Sequence, residues 1–338
     1  MKTYAGIDLH SSNSFLGVID EQDTRLYSKR LPNDLETILS ALKPFQDSLK
    51  SVVIESTYNW YWLVDGLMTA GYPVNLANPS AIKQYEGLKN TDDKWDSFWL
   101  AHMKRLGILP EGYIYPKEER PIRDLLRRRM LFVQQRTTQI LSFQTMVSCV
   151  KGFKLKASQI KKLTEKEIKE IFDSDYMVLI AQEQISTIRT LNESIKRIEQ
   201  KVKSEITLKK EFEMLLTIPG IGVILALTIM LEVGDINRFE KVGNFSSYCR
   251  CVSSQRTSNN KPKGKGNTKN GNKYLAWAFV EAANFSKRFS LQSQKYYQRK
   301  AAKTKNVVAI KALSHKLARA SYYVMRDKVP YEADLLFR

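Results

Sequence analysis

Two short apolar runs, each ending on a carboxylate, constrain the fold of this chain more than any other feature. Tyr4-Ala5-Gly6-Ile7 leads into Asp8, and Ser51-Val52-Val53-Ile54 leads into Glu55. Runs of this length bounded by polar turns read as strands. Residues 14–19 and 26–28 read as two more strands, so the chain opens with a three-stranded antiparallel unit. Leu35, Ile38, Leu39 and Leu42 then recur at helical spacing, a second helix is expected near residues 61–70, and a short strand near 72–76. Strands alternating with helices predict an α/β sheet.

A third acidic point follows. Asp93-Lys94-Trp95-Asp96 opens a helical pattern, and the i,i+3 spacing puts both carboxylates on one face. Carboxylates about 5 Å apart repel by ~3 kcal/mol at an effective dielectric of about 20. A cluster of Asp8, Glu55, Asp93 and Asp96 therefore needs a cation or raised pKa values. Mg²⁺ is the hard, oxygen-seeking ion that fits, and two such ions can serve the attacking and leaving oxygens of a phosphodiester. The plainer alternative is that each acid is a solvated surface group or a helix cap, since Asp92, Asp93 and Asp96 also suit a helix macrodipole.

The 338 residues predict about two folded bodies, with a division at 1–115, a helical spacer over 116–210 and a basic region over 211–338. Met1-Lys2-Thr3 runs straight into the first strand without an apolar leader, which predicts a cytoplasmic protein. Cys149, Cys249 and Cys251 lack the spacing of a disulfide framework or zinc site. The longest apolar stretch, residues 214–233, is broken by Pro219-Gly220 and reads as a buried helix pair, too short on either side to span a bilayer.

Net charge is +19, and its placement is informative: residues 241–338 hold 21 Lys or Arg against four acids. A surface that neutralises phosphates has this signature. The segments lack the apolar face a membrane-bound helix needs, so nucleic acid is the expected partner. A smaller cluster includes Arg127, Arg128 and Arg129. In the spacer, Ile188, Ile195 and Val202 recur every seven residues, interleaved with Ile185, Leu191 and Ile198. This is a short coiled-coil pattern, or equally an antiparallel packing against the helix expected over 122–148. Residues 151–175 read as a mobile link or short-helix crossover.

Thr217-Ile218-Pro219-Gly220-Ile221-Gly222 has the form of a helix-hairpin-helix turn whose N–H groups face a phosphate. A plain Pro-Gly turn between buried helices explains the same letters. Residues 253–271 contain no acid and almost no apolar side chain, which predicts a mobile loop that orders on a polyanion. Its Arg256, Lys261, Lys263, Lys265 and Lys269 are candidate phosphate contacts. A hydroxyl among those cations is placed for attack at phosphorus, and the residues alone leave Ser253, Ser254, Thr257 and Ser258 open.

Gly6-Ile7-Asp8, residues 53–58, Asn78-Pro79, residues 86–90 and residues 93–101 resemble the DEDD transposases of the "one-ten" family of bacterial insertion sequences, relatives of the Piv-type DNA invertases. The resemblance implies a RuvC-like, ribonuclease H-type fold for the first part and a mainly helical C-terminal transposase domain. It carries the acidic tetrad to Asp8, Glu55, Asp93 and Asp96, with Asp92 as the alternative register for the third acid. Counting from the segment Phe245 to Tyr248, it carries a catalytic serine to Ser258. It further implies strand cutting and rejoining through a serine nucleophile with Mg²⁺, a dimer or tetramer acting on donor and target DNA, and a noncoding bridge RNA that selects them. A RuvC-like junction resolvase or nuclease using water, a DNA invertase, and a nucleic-acid-binding protein with structural acids are the alternatives.

Overall fold

The computed structural model describes residues 1–82, 92–205, 209–252, 255–265 and 270–337. They form two compact units, Met1–Lys117 and Glu118–Arg338. Residues 118–210 of the helical stretch expected as a spacer fall in the second.

In the first unit, β1 (Thr3–Leu9), β2 (Asn13–Asp20) and β3 (Arg25–Pro32) form the antiparallel opening. After α1 (Leu35–Leu42), β4 (Leu49–Glu55) joins β1 in parallel. Beyond α2 (Tyr61–Thr69), β5 (Val74–Ala77) joins β4 in parallel. Helix α3 (Asp93–Arg105) precedes the short antiparallel edge β6 (Glu111–Gly112), and the sheet order is β3-β2-β1-β4-β5-β6.

The period-2 pleat sorts side chains between two layers. Ala5, Ile7, Leu9, Val52 and Ile54 bury against Ile38, Leu42, Leu63, Val64 and Leu67 of α1 and α2. The alternate residues face α3, where Val53 packs with Leu100 and Met103. Gly6 is what lets α3 lie flat on the sheet: a Cβ there would stand 1.9 Å from the Ser97 carbonyl oxygen.

The second unit begins with α4 (Arg120–Lys151), which ends at Gly152 in the left-handed conformation (φ 73°). It runs back through α5 (Ala157–Ile160) and α6 (Glu165–Ile171) into α7 (Asp175–Glu205). Ile185, Ile188, Ile195 and Val202 are buried. The pairs Arg129–Glu199, Arg136–Asn192 and Ser142–Gln184 show that α4 and α7 are antiparallel. The seven-residue repeat thus packs within the chain. Residues 151–175 are not a plain link, since Ile160, Leu163, Ile168 and Phe172 join Phe143 and Val147 in one core.

The rest of this unit is a helical bundle: α8 (Lys210–Leu216), α9 (Val223–Val233), α10 (Val242–Tyr248), the hairpin β7 (Gln255–Ser258) and β8 (Lys261–Lys265), then α11 (Lys273–Phe289), α12 (Leu291–Ala301), α13 (Asn306–Asp327) and α14 (Ala333–Phe337). α9 is almost wholly buried, as its unbroken apolar sequence requires. The turn before it is tied to α11, because a Cβ on Gly220 (φ 96°) would meet Ser286 N at 2.4 Å and Ala282 O at 2.5 Å. Among the described residues no helix is long and apolar enough to cross a membrane.

Candidate metal centre and serine hairpin

Asp8 is the sixth residue of β1, on the same face as Gly6, and Glu55 ends β4. The parallel register pairs Ile7 with Ile54, so the two acids lie side by side one residue further on. Asp93 and Asp96 occupy the first turn of α3, the helix that Gly6 admits onto this face. Asp92 does different work. It is the exposed N-cap of α3, and its carboxylate accepts the Trp95 N–H at 2.6 Å.

His10, which the sequence reading passed over, stands among these acids. Its Nε2 is 3.1 Å from Asp8 Oδ2 and 3.1 Å from Asp93 Oδ1. Asn33 and Asn59 each donate a side-chain N–H to its backbone carbonyl at 2.9 Å. The signal was available: strand alternation places residues 8 and 10 on one side. Arg30 of β3 donates to Asp93 Oδ2 at 2.6 Å and to Asn13 Oδ1 at 2.9 Å.

Electrostatics join the acids into one group. Burial pushes the Asp8 carboxyl up to about 6, the neighbouring charges of Asp96 and Asp93 add to the rise, and His10 and Arg30 oppose it. Burial raises Glu55 too, followed by the charges of Asp8 and Asp96. Asp96 is raised by burial and then by Asp93 and Asp92. For Asp93 burial acts upward, but the adjacent His10 and Arg30 outweigh it and hold the carboxyl below its usual range.

Asp8, His10 and Asp93 each bring a ligand atom within 4.8 Å of the others. Asp96 Oδ1 is buried without a hydrogen-bond partner among the described residues. Converging carboxylate oxygens, one ring nitrogen and an orphaned Asp96 oxygen fit a divalent cation.

In the second unit, Ser258 is the exposed last residue of β7 and pairs with Lys261 across a two-residue turn. Asn259 (φ 50°) and Asn260 (φ 59°) are both left-handed, as this kind of turn demands. A stretch expected to be a mobile loop therefore contains a hairpin, because Asn tolerates the αL geometry that the flanking Ser and Lys do not. Lys261 and Lys263 are exposed on β8, and Arg256 and Lys265 hold positions in the paired strands. Lys269, Ser253 and Ser254 lie outside the described residues.

The three consecutive arginines of α4 separate, because successive helical residues turn by about 100°. Arg127 donates Nε and Nη2 to Glu232 at 2.6 and 2.7 Å. Arg129 donates to Glu199 Oε1 at 2.8 and 2.6 Å. Arg128 is exposed. Two of these expected phosphate contacts are thus engaged inside the protein.

Two family models match this chain, one after the other along its length. Residues 5–150, which include all four acids, match the DEDD transposase family model of the IS110 type. Residues 212–298, which include the hairpin, match the Transposase IS116/IS110/IS902 family. The transposase for insertion sequence element IS1111A of Coxiella burnetii is 24% identical over 295 residues, 82% of this chain and 76% of that protein. The transposase for insertion sequence element IS1328 of Yersinia enterocolitica is 25% identical over 338 residues, 95% of this chain and 96% of its own length. With both regions matched in order and similarity running almost end to end, this chain belongs to the IS110 family of transposases, enzymes that recombine DNA.

Proposed function

We propose that the first unit is a RuvC-like domain in which Asp8, Glu55, Asp93 and Asp96 hold Mg²⁺, and that Ser258 is the nucleophile of strand exchange. The observation that carries this reading is the convergence of Asp8 and Asp93 on His10, with Glu55 and Asp96 electrostatically coupled to them. The strand order with three antiparallel strands followed by parallel β4 and β5 supports the RuvC-like assignment. Bound there, Mg²⁺ would polarise the scissile phosphodiester and stabilise charge on its oxygens.

Ser258 Oγ attacks phosphorus, forming a serine–phosphate ester as the bond to a deoxyribose oxygen breaks. The hydroxyl proton leaves, and the freed deoxyribose oxygen takes one up. A DNA hydroxyl from the second strand then reverses the exchange and releases the serine. One phosphodiester replaces another, so no nucleotide cofactor is needed. Exposed Lys261, Lys263 and Arg128 are the side chains we assign to phosphates, together with Arg256, Lys265 and Lys269. Arg127 and Arg129 act instead through their intrachain partners.

The resemblance further supports a dimer or tetramer, a noncoding bridge RNA on the basic surface, and action in the bacterial cytoplasm at the nucleoid. The deciding experiment traps protein-linked DNA on a labelled insertion-sequence end. Asp8→Asn should abolish cleavage, and Ser258→Ala should abolish the covalent adduct. Cleavage without any adduct in the parent protein would instead assign the acids to a water-using nuclease.

A further inference from the structure

Helix α9 reads Val-Ile-Leu-Ala-Leu-Thr-Ile-Met-Leu-Glu-Val, and its Glu232 is only 4% exposed. A carboxylate in such a helix is strongly disfavoured unless paired and hydrogen-bonded. Its partners are specific. Arg127 of α4 grips both oxygens, its guanidinium lying 4.6 Å from the Tyr274 ring centroid. Asn272 donates its side-chain N–H to Oε2 at 2.6 Å.

Asn272 is in turn a junction. Its Oδ1 caps α11 by accepting from Tyr274 N at 2.8 Å and Leu275 N at 3.1 Å. Its backbone N–H donates to the Tyr248 carbonyl at 2.6 Å, which joins the end of α10 to the start of α11. Arg250 Nε donates to the Gly271 carbonyl at 2.9 Å across the same gap. Gly271 (φ 89°) makes the closeness possible, since a Cβ there would stand 2.4 Å from Tyr248 O. Tyr248 and Gly271 flank the segment that carries β7, β8 and Ser258. Both roots of the hairpin are therefore held, through one buried carboxylate, to helix α4.

We propose that Arg127, Glu232 and Asn272 form a positioning relay for the hairpin: Glu232 fixes the hairpin roots to α4, so the orientation of that helix sets where Ser258 presents its hydroxyl. This rests on the reading of Ser258 as nucleophile.

The test uses the full-length chain. Asn272→Ser retains a cap acceptor and the backbone bond to Tyr248 but is too short to reach Glu232. Arg127→Met combined with Glu232→Gln detaches α4 without leaving an unpaired buried charge, and keeps an acceptor for Asn272. For each variant, thermal unfolding, amide exchange of residues 255–265, DNA affinity and the single-turnover rate of serine–DNA linkage at saturating DNA are measured. The expected result is selectively faster exchange in the hairpin, unchanged DNA affinity and a linkage rate lowered by about a hundredfold. Unchanged hairpin exchange and linkage in both variants would overturn the relay, as would a uniform loss of protection across the chain. Selective loosening of the hairpin in a protein whose parent forms no serine–DNA linkage would uphold the relay as an anchor and sink the nucleophile assignment alone.

Discussion

Asp8 concentrates the chemistry of the first unit in one titration. Its folded pKa, near 6, lies above the ordinary carboxylate range, so between those limits the native state binds more protons than the unfolded chain. Its contribution to stability is therefore greatest at low pH and is lost as pH rises through about 6. Cation binding runs the other way, because the ligand must be ionised. Calorimetric affinity for Mn²⁺ should climb about tenfold per pH unit below about 6 and level off above it; a flat profile would remove Asp8 from the site. Gly6→Ala tests the geometry beneath: the 1.9 Å clash is with backbone, so α3 must lift. We expect a loss of about 1–3 kcal/mol in urea unfolding and a weakened Mn²⁺ affinity as Asp96 moves away from Asp8. At this scale the sequence disclosed the four acids through their strand ends and i,i+3 spacing. It did not disclose His10 or Arg30, whose approach to Asp93 depends on how β1, β3 and α3 meet, nor the engagement of Arg127 by Glu232, separated from it by 105 residues.

Among the elements, the alternating opening strands and the apolar α9 were legible because period and length fix them. The β7–β8 hairpin was not, since a strongly basic composition hid the one cue that mattered, two adjacent asparagines able to adopt positive φ. Asn260→Gly should slow amide exchange across residues 255–265, because glycine sits in that region without strain, whereas Asn259→Val should cost the hairpin about 1–2 kcal/mol. The α4–α7 pair depends on its inner face. Phe143 is fully buried against Phe172 with ring centroids 6.3 Å apart, and Phe143→Ala should lower stability by about 3–5 kcal/mol in denaturant unfolding. The seven-residue repeat announced that such a face exists, but periodicity alone cannot say whether the partner is another chain or the same one.

For the whole molecule, charge is segregated: the acids that converge lie in the first unit and the lysine and arginine excess in the last 98 residues. DNA binding and DNA cleavage should therefore respond to different reagents. Raising salt from about 50 to 200 mM should weaken binding by roughly a thousandfold or more if six or more phosphates are neutralised, as read by filter binding. A chelator should leave that affinity in place while stopping strand cutting.

Translation adds a temporal asymmetry. Every pairing of the six-stranded sheet closes between residues 3 and 112, and N-terminal bodies fold first as a polypeptide emerges. On the proposed reading, the acidic cluster of the first unit is therefore assembled before residue 258 has been decoded. A product halted before that point would keep the four acids but lack the hairpin altogether, so interrupted synthesis would leave the proposed metal site without its proposed nucleophile.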